Sequence, residues 1–397
     1  MKLTIFSSEQ IQSGGGFQQA LNSILLFKKH EGDDLSVDVV TSVGENISFF
    51  RKYGIAATHF ELTRAQKLIL KLTSGHMLIH SLMTQAGVCN PLDKYFARNG
   101  TDLVWFVDPS NYAAYLESQN YVFTLWDLCH RDHPEFPEIR NNREFDKKEV
   151  VYRSVLPKAV NVVVDSEHGK GNVVSRYGVD AERISIVPFS AAQGVRETSS
   201  EAGINIKQKY GIEGDYIYYP AQFWAHKNHI YILEALALLR ANHGLELTAI
   251  FSGSDKGNGD HVVEMARKLG IERQIKCIGF VDNEEVPALY RQSMALVMPT
   301  YFGPTNIPPL EAFSLGVPVV YSDLPGLRDQ VGDAALLMDL SDPASLVSHL
   351  VALRADPGVS AQLVARGKEL MANNTDDQRW AVIESILNSY KRKSACW

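Results

Sequence analysis

Short runs of β-branched and apolar residues alternate along the chain with longer stretches whose apolar positions recur every three to four residues. Leu3–Phe6, Ser36–Val43, Asp102–Val107, Val122–Leu125, Ala159–Val164 and Ile184–Val187 read as strands. Phe17, Ala20, Leu21, Ile24 and Leu25 fall at helical spacing behind the first of them. Gln193–Gly203 is polar and reads as a linker. A second series follows, with strands expected at Tyr216–Tyr219, Leu247–Phe251, Ile275–Ile278, Ala295–Met298, Val317–Tyr321 and Ala335–Met338. Helices are expected between them at Ile230–Arg240, His261–Leu269, Glu284–Gln292 and Pro308–Leu315, then at Pro343–Arg354, Val359–Asn373 and Asp377–Lys391. Strand–helix alternation predicts parallel sheets covered by helices on both faces. Two such series predict an α/β chain of two Rossmann-like, doubly wound domains facing a cleft.

Composition narrows the class without changing the fold. The 397 residues are 45% apolar and 21% charged, as in ordinary globular proteins, and suffice for two domains. The net charge, 39 − 46 = −7, argues against a nucleic-acid binder working by bulk positive charge. Cys89, Cys129, Cys277 and Cys396 lie far apart without a C-x-x-C, so neither a disulfide framework nor a zinc site is expected. With no apolar run near membrane-spanning length and no secretory signal, a cytoplasmic protein is expected.

Four loops at strand ends carry the candidate chemistry. Ser13-Gly14-Gly15-Gly16 opens the first helix, where glycines allow close approach to a ligand and free helical N–H groups face an anion. A simple tight turn explains the same residues equally well. Trp126–Glu135 packs two histidines and three acids into ten residues, among them Asp127 and His130. Its spacing matches no familiar structural metal site, and acid–base or phosphate-orienting work suits His130 better. Pro220–His229 puts Lys227 at the end of a strand, where its charge can offset that of a departing phosphate. Pro299–Phe313 runs from a strand through Gly303, Thr305 and Asn306 into a helix near Pro308. There the N–H groups around Asn306 and Ile307 can meet a diphosphate, and Glu311 can accept from ribose hydroxyls. A capped helix whose acid favours its own dipole is the plain alternative. No D-x-D pair occurs, against a metal-held diphosphate.

Together these pieces resemble the retaining nucleotide-sugar glycosyltransferases of glycosyltransferase family 4, which have the two-domain GT-B fold. Carrying the resemblance are the Gly-rich loop, Val164-Asp165-Ser166-Glu167-His168, Arg183–Pro188, the Lys227 segment, Pro308-Pro309-Leu310-Glu311-Ala312, Gly316-Val317-Pro318-Val319 and Asp333–Leu337. It implies an acceptor-side domain over 1–192, a donor-binding domain over 204–376, and a final helix, 377–397, returning to the first domain. It also implies that Lys227 meets the diphosphate, Glu311 the ribose and the Asn306–Ile307 backbone the phosphates, with Gly15 and Gly16 bordering donor and acceptor. Catalysis is then expected from His130, Asp127, Lys227 and Glu311, with anomeric configuration retained and neither metal nor cofactor needed. Three positions depart from the family pattern. Gly303 stands where a sugar-contacting glutamate is common, which passes sugar recognition to Thr305 or Asn306. Gln222 stands for an arginine, and Trp126-Asp127 for a His-Asp pair.

The subgroup resembled is that of bacterial surface-polysaccharide transferases, so the expected partners are a nucleotide-sugar donor and a glycan or lipid-linked acceptor. Thr63–Met83, with Arg64, Lys67 and Lys71 beside Leu68, Ile69 and Leu72, reads either as an ordinary helix or as a basic amphipathic helix for the inner face of a membrane. A non-catalytic GT-B subunit or glycan-binding module, and a sugar-nucleotide epimerase, are the alternative functions.

Overall fold

The computed structural model describes residues 1–11, 14–75, 85, 90–197, 203–282 and 284–397. Ser13, Cys89, the 76–83 part of the amphipathic segment and the 198–202 part of the linker lie outside the described residues.

Two all-parallel sheets form. The first contains β1 (Lys2–Ser7), β2 (Ser36–Thr41), β3 (Ala57–His59), β4 (Leu103–Phe106), β5 (Tyr121–Thr124), β6 (Asn161–Val164) and β7 (Ile184–Ile186), in the order β3-β2-β1-β4-β5-β6-β7. The second contains β8 (Tyr216–Pro220), β9 (Thr248–Ser252), β10 (Ile275–Gly279), β11 (Ala295–Met298), β12 (Val319–Ser322) and β13 (Leu336–Met338), in the order β10-β9-β8-β11-β12-β13. Each sheet therefore reverses its direction of growth once, between β1 and β4 and between β8 and β11. Those are the points where open α/β sheets bind ligands at the strands' carboxyl ends. Strands β4, β11 and β12 are buried along their whole length, because helices cover both faces. The edge strand β3 is absent from the sequence reading: Ala-Thr-His is short and largely exposed, and carries no apolar signature.

The chain forms two compact units. Met1–Asp127, Asp146–Pro188 and Asp376–Trp397 make the first, and Leu128–Phe145 with Phe189–Thr375 make the second. The final helix, Asp376–Ser394, adds Ile383, Ile386, Leu387 and Tyr390 to the core of the first unit. Each such side chain contributes about 1.5–3 kcal/mol. Tyr390 Oη donates to the Asp102 carbonyl at 2.7 Å, and Trp380 stacks on His30 at 3.9 Å. Leu128–Phe145, expected within a first domain running to residue 192, packs instead in the second unit. No helix among the described residues is long and apolar enough to cross a membrane.

Candidate functional site

In the second unit the site is built from the loops that follow β8 and β11. After β8 the chain passes Ala221–Trp224, makes a single turn at Ala225–Lys227, and enters the helix His229–His243. Gly253, just beyond β9, makes this path fit: a Cβ there would lie 2.5 Å from the Ala221 carbonyl oxygen. The turn is fixed at several points. Lys227 N–H donates to the Trp224 carbonyl at 3.1 Å, and the Lys227 carbonyl accepts from the buried Tyr219 hydroxyl at 2.8 Å. Asn228 then takes a left-handed conformation, φ 54°, so that the helix starts at once. Lys227 is half-buried. His229, at the helix start, is fully buried between Phe223 and Phe251, and burial lowers its pKa to about 3. It is a neutral core group.

The loop after β11 is joined to this turn, since Tyr301 N–H donates to the His226 carbonyl at 2.9 Å. Gly303 has φ 101°, and a Cβ there would sit 2.8 Å from the Thr305 oxygen and 2.9 Å from Asn306 Nδ2. The loop conformation thus demands glycine at this position. Asn306 N-caps the helix Ile307–Leu315, but its side chain turns inward, with Nδ2 donating to Tyr321 Oη at 2.7 Å. Gln330 clips its backbone: Asn306 N–H donates to Gln330 Oε1 at 2.9 Å, and Gln330 Nε2 to the Asn306 carbonyl at 2.6 Å. Because Pro308 and Pro309 have no N–H, Ile307 carries the amide that this first turn can turn toward an anion. Thr305 stands half-buried just before.

Glu311 lies one turn further on and is buried. Burial raises its pKa, partly offset by the Tyr290 hydroxyl, which donates to Oε2 at 2.7 Å, and by the Ala192 backbone. A carboxylate so fixed loses little entropy on accepting hydroxyls. Sequence reasoning singled out Lys227 and Glu311 but not Tyr290, Tyr321 and Gln330, which hold these loops in place. They read as core or solvated positions, and only the fold brings them to these loops.

The segment Leu128–Phe145 meets the same two loops. Gly303 N–H donates to Cys129 Sγ at 3.1 Å. Glu138 accepts from the His226 backbone N–H at 3.0 Å and from its ring Nδ1. Phe302 stacks on His226 at 4.0 Å and on His133 at 5.7 Å. His130 is fully buried, with its ring against Phe145 at 5.4 Å.

Gly15, Gly16 and Asp127 belong to the first unit. There Gly14 (φ 73°) precedes the helix Gly15–Lys29, whose start has no side-chain cap. Gly15 is exposed, and a Cβ on Gly16 would lie 2.7 Å from the Trp126 ring, so Gly16 serves that close approach. Asp108, just past β4 and unnoticed in the sequence, is fully buried and holds the chain leaving β1. Ser8 N–H and Oγ donate to it at 2.7 and 2.6 Å. Burial raises its pKa against those bonds. Asp127 is half-buried. Among the described residues, no three or more His, Cys, Asp or Glu side chains are grouped to hold a metal ion.

Residues 204–370 match the family model described as glycosyl transferases group 1. The O-antigen chain mannosyltransferase B of Escherichia coli is 26% identical over 68% of this chain and 70% of its own length. A D-inositol 3-phosphate glycosyltransferase of Salinispora arenicola is 26% identical over 61% of this chain, but the match spans only 57% of that relative. Among solved structures, Anabaena HepE in complex with UDP-glucose superposes with a TM-score of 0.70 at 17% identity, covering 99% of this chain and 100% of that one. WaaG, a glycosyltransferase involved in lipopolysaccharide biosynthesis, gives 0.67 at 15% identity, with 97% and 98% covered. The fold is that of the GT-B glycosyltransferases.

Proposed function

We propose that the chain, whose residues 204–370 match the model of the glycosyl transferases group 1 family, moves a sugar from a nucleotide-sugar donor to a glycan or lipid-linked saccharide in the synthesis of a bacterial surface polysaccharide. The observation that carries this reading is the joining of the Lys227 turn to the Thr305–Ile307 loop at the switch point of the second sheet. It is supported by the UDP-glucose held by HepE and by the O-antigen activity of the Escherichia coli relative.

In this reading the Lys227 ammonium faces the donor diphosphate and stabilises the charge that grows on it as the sugar leaves. The Ile307 amide and its helix dipole add to that, with Thr305 and Asn306 framing the loop. Glu311 accepts ribose hydroxyls from its buried, Tyr290-held position. Gly15, Gly16 and Asp127 serve on the acceptor side. The reaction retains anomeric configuration and uses neither metal nor cofactor. Residues 63–83 add peripheral contact with an anionic membrane, through Arg64, Lys67 and the exposed Leu68.

The test is thermal unfolding with UDP, GDP, dTDP or ADP, each with and without EDTA. A nucleotide at about a hundred times its dissociation constant adds about 2.7 kcal/mol of stability. One of the four should raise the melt, equally with EDTA; a protein that no nucleotide shifts would end the donor reading. For His130 the expectation is narrower. Acid–base catalysts contribute about 10²- to 10⁴-fold, whereas His130→Phe should leave turnover within about threefold of the parent. A hundredfold loss in a normally folded variant would return His130 to the reaction.

A further inference from the structure

The carboxylate of Glu138 lies outside the 204–370 domain in sequence but bears on both of its donor loops. Its Oε1 accepts from the backbone N–H and the ring Nδ1 of His226, the residue before Lys227. Both side chains are close to nine-tenths buried. On its other side the His226 ring lies parallel to Phe302, with ring centres 4.0 Å apart and planes 11° from parallel. Phe302 directly precedes Gly303, and its carbonyl accepts from Asn306 Nδ2 at 3.2 Å. Two bonds to one oxygen fix the backbone turn and the ring together. Parallel stacking then carries that setting into the second loop.

Charge accounts for the choice of residue. Burial works to raise the pKa of Glu138, but the bonds from the His226 ring and backbone outweigh it, and the pKa is lowered. An ionised carboxylate can only accept, so His226 must carry its proton on Nδ1. Such charge-assisted bonds are about twice as strong as neutral ones. A solvated surface carboxylate would gain nothing from this placement, and the donor reading above gives no ligand contact to the Glu138 carboxylate or the His226 ring.

We propose that Glu138 is a positioning residue of the donor site: through His226 it sets the turn that presents Lys227, and through the His226–Phe302 stack it sets the loop leading to Asn306. The inference rests on the donor reading only for its consequence in binding. Its structural half stands by itself.

Two variants test it: Glu138→Ala and Glu138→Gln. In nucleotide-free protein, amide hydrogen exchange at 225–228 and 300–306 should speed up at least tenfold in Glu138→Ala and less in Glu138→Gln. The melting transition should remain cooperative. The ¹⁵N signal of His226 should report a protonated Nδ1 in the parent and lose that signature in Glu138→Ala. Whichever of UDP, GDP, dTDP and ADP stabilises the parent should then bind Glu138→Ala at least tenfold more weakly, while its nucleoside binds the variant as it binds the parent, since Lys227 meets only the diphosphate. Unchanged exchange at both loops would overturn the proposal. So would equal losses for nucleosides and nucleoside diphosphates, which mark a general loosening. If the parent binds no nucleotide at all, the donor reading fails, and the exchange and ¹⁵N results still decide whether Glu138 positions the loops.

Discussion

Replacing Lys227 with alanine is expected to lower kcat/KM for donor turnover by about 10²- to 10³-fold, the range found when one preorganised charge-stabilising group is lost. The ammonium starts from a backbone held by hydrogen bonds on both sides. Its own N–H and carbonyl are bonded to the Trp224 carbonyl and the Tyr219 hydroxyl, and Tyr219 is buried under the sheet end. The backbone is thus already ordered when the side chain meets a phosphate, and only the rotamers of its four-carbon stem remain to be fixed. In the proposed reaction charge on the diphosphate grows as the sugar departs, so the loss should fall on kcat as well as on KM. Lys227→Arg is a poor rescue, because a guanidinium is larger and planar and the turn was set for a point charge. Lys256 provides the control. It sits over the Trp224 ring at 5.8 Å on the same sheet end, and its replacement by alanine should cost little. Steady-state kinetics on both variants, with melting curves to show equal folding, check this. Equal losses from the two would make the effect one of bulk charge and remove Lys227 from its place.

The fold was legible because buried parallel strands write themselves as continuous apolar runs. Leu-Val-Trp-Phe, Ala-Leu-Val-Met and Val-Val-Tyr-Ser all lie where the runs predict them. Ala57–His59 escaped because an exposed edge strand needs no such run. In the site, legibility followed the same physics. Lys227 and Glu311 could be picked out because a charged residue just beyond an apolar strand, or one turn into a proline-led helix, stands out against its neighbours. The residues that hold them could not. Tyr290 lies in a helix whose aromatic reads as core, and Gln330 lies in a stretch whose sequence predicts no element, though the structure forms the short helix Leu327–Val331 there. Glu138 bonds His226 from 88 positions away, a distance that no local periodicity encodes. For the same reason the sequence put Leu128–Phe145 with the wrong unit: its apolar residues, Leu128, Phe136 and Ile139, announce burial but not a partner. Asp108 shows the limit from the other side. A fully buried aspartate holding Ser8 is identical in sequence to one in a surface turn.

Gly303→Glu, which installs the residue that resembled transferases carry at this position, is expected to abolish turnover rather than improve sugar recognition. The obstacle is the backbone. At φ 101° any Cβ points into the Thr305 oxygen at 2.8 Å and Asn306 Nδ2 at 2.9 Å, neither of which can step aside. The Asn306 side chain is held by Tyr321, and its backbone by Gln330. Backbone strain of this kind costs about 1–3 kcal/mol, and overpacking about as much again. For a unit of this size each kcal/mol lowers the melting temperature by about 2–4 °C. Relief requires the loop to move, which would break the Gly303–Cys129 contact and carry the Ile307 amide away from its place. Gly303→Ala separates the two components, since it adds the Cβ without the charge. If backbone geometry decides, alanine and glutamate lower the melt alike, and both lose nucleotide affinity. If alanine were harmless while glutamate raised turnover, the loop would be soft and sugar recognition would have been waiting for a carboxylate. The rigid clamp on Asn306 leads us to expect the first result, and with it a donor site that selects its sugar through Thr305 and the backbone of the loop.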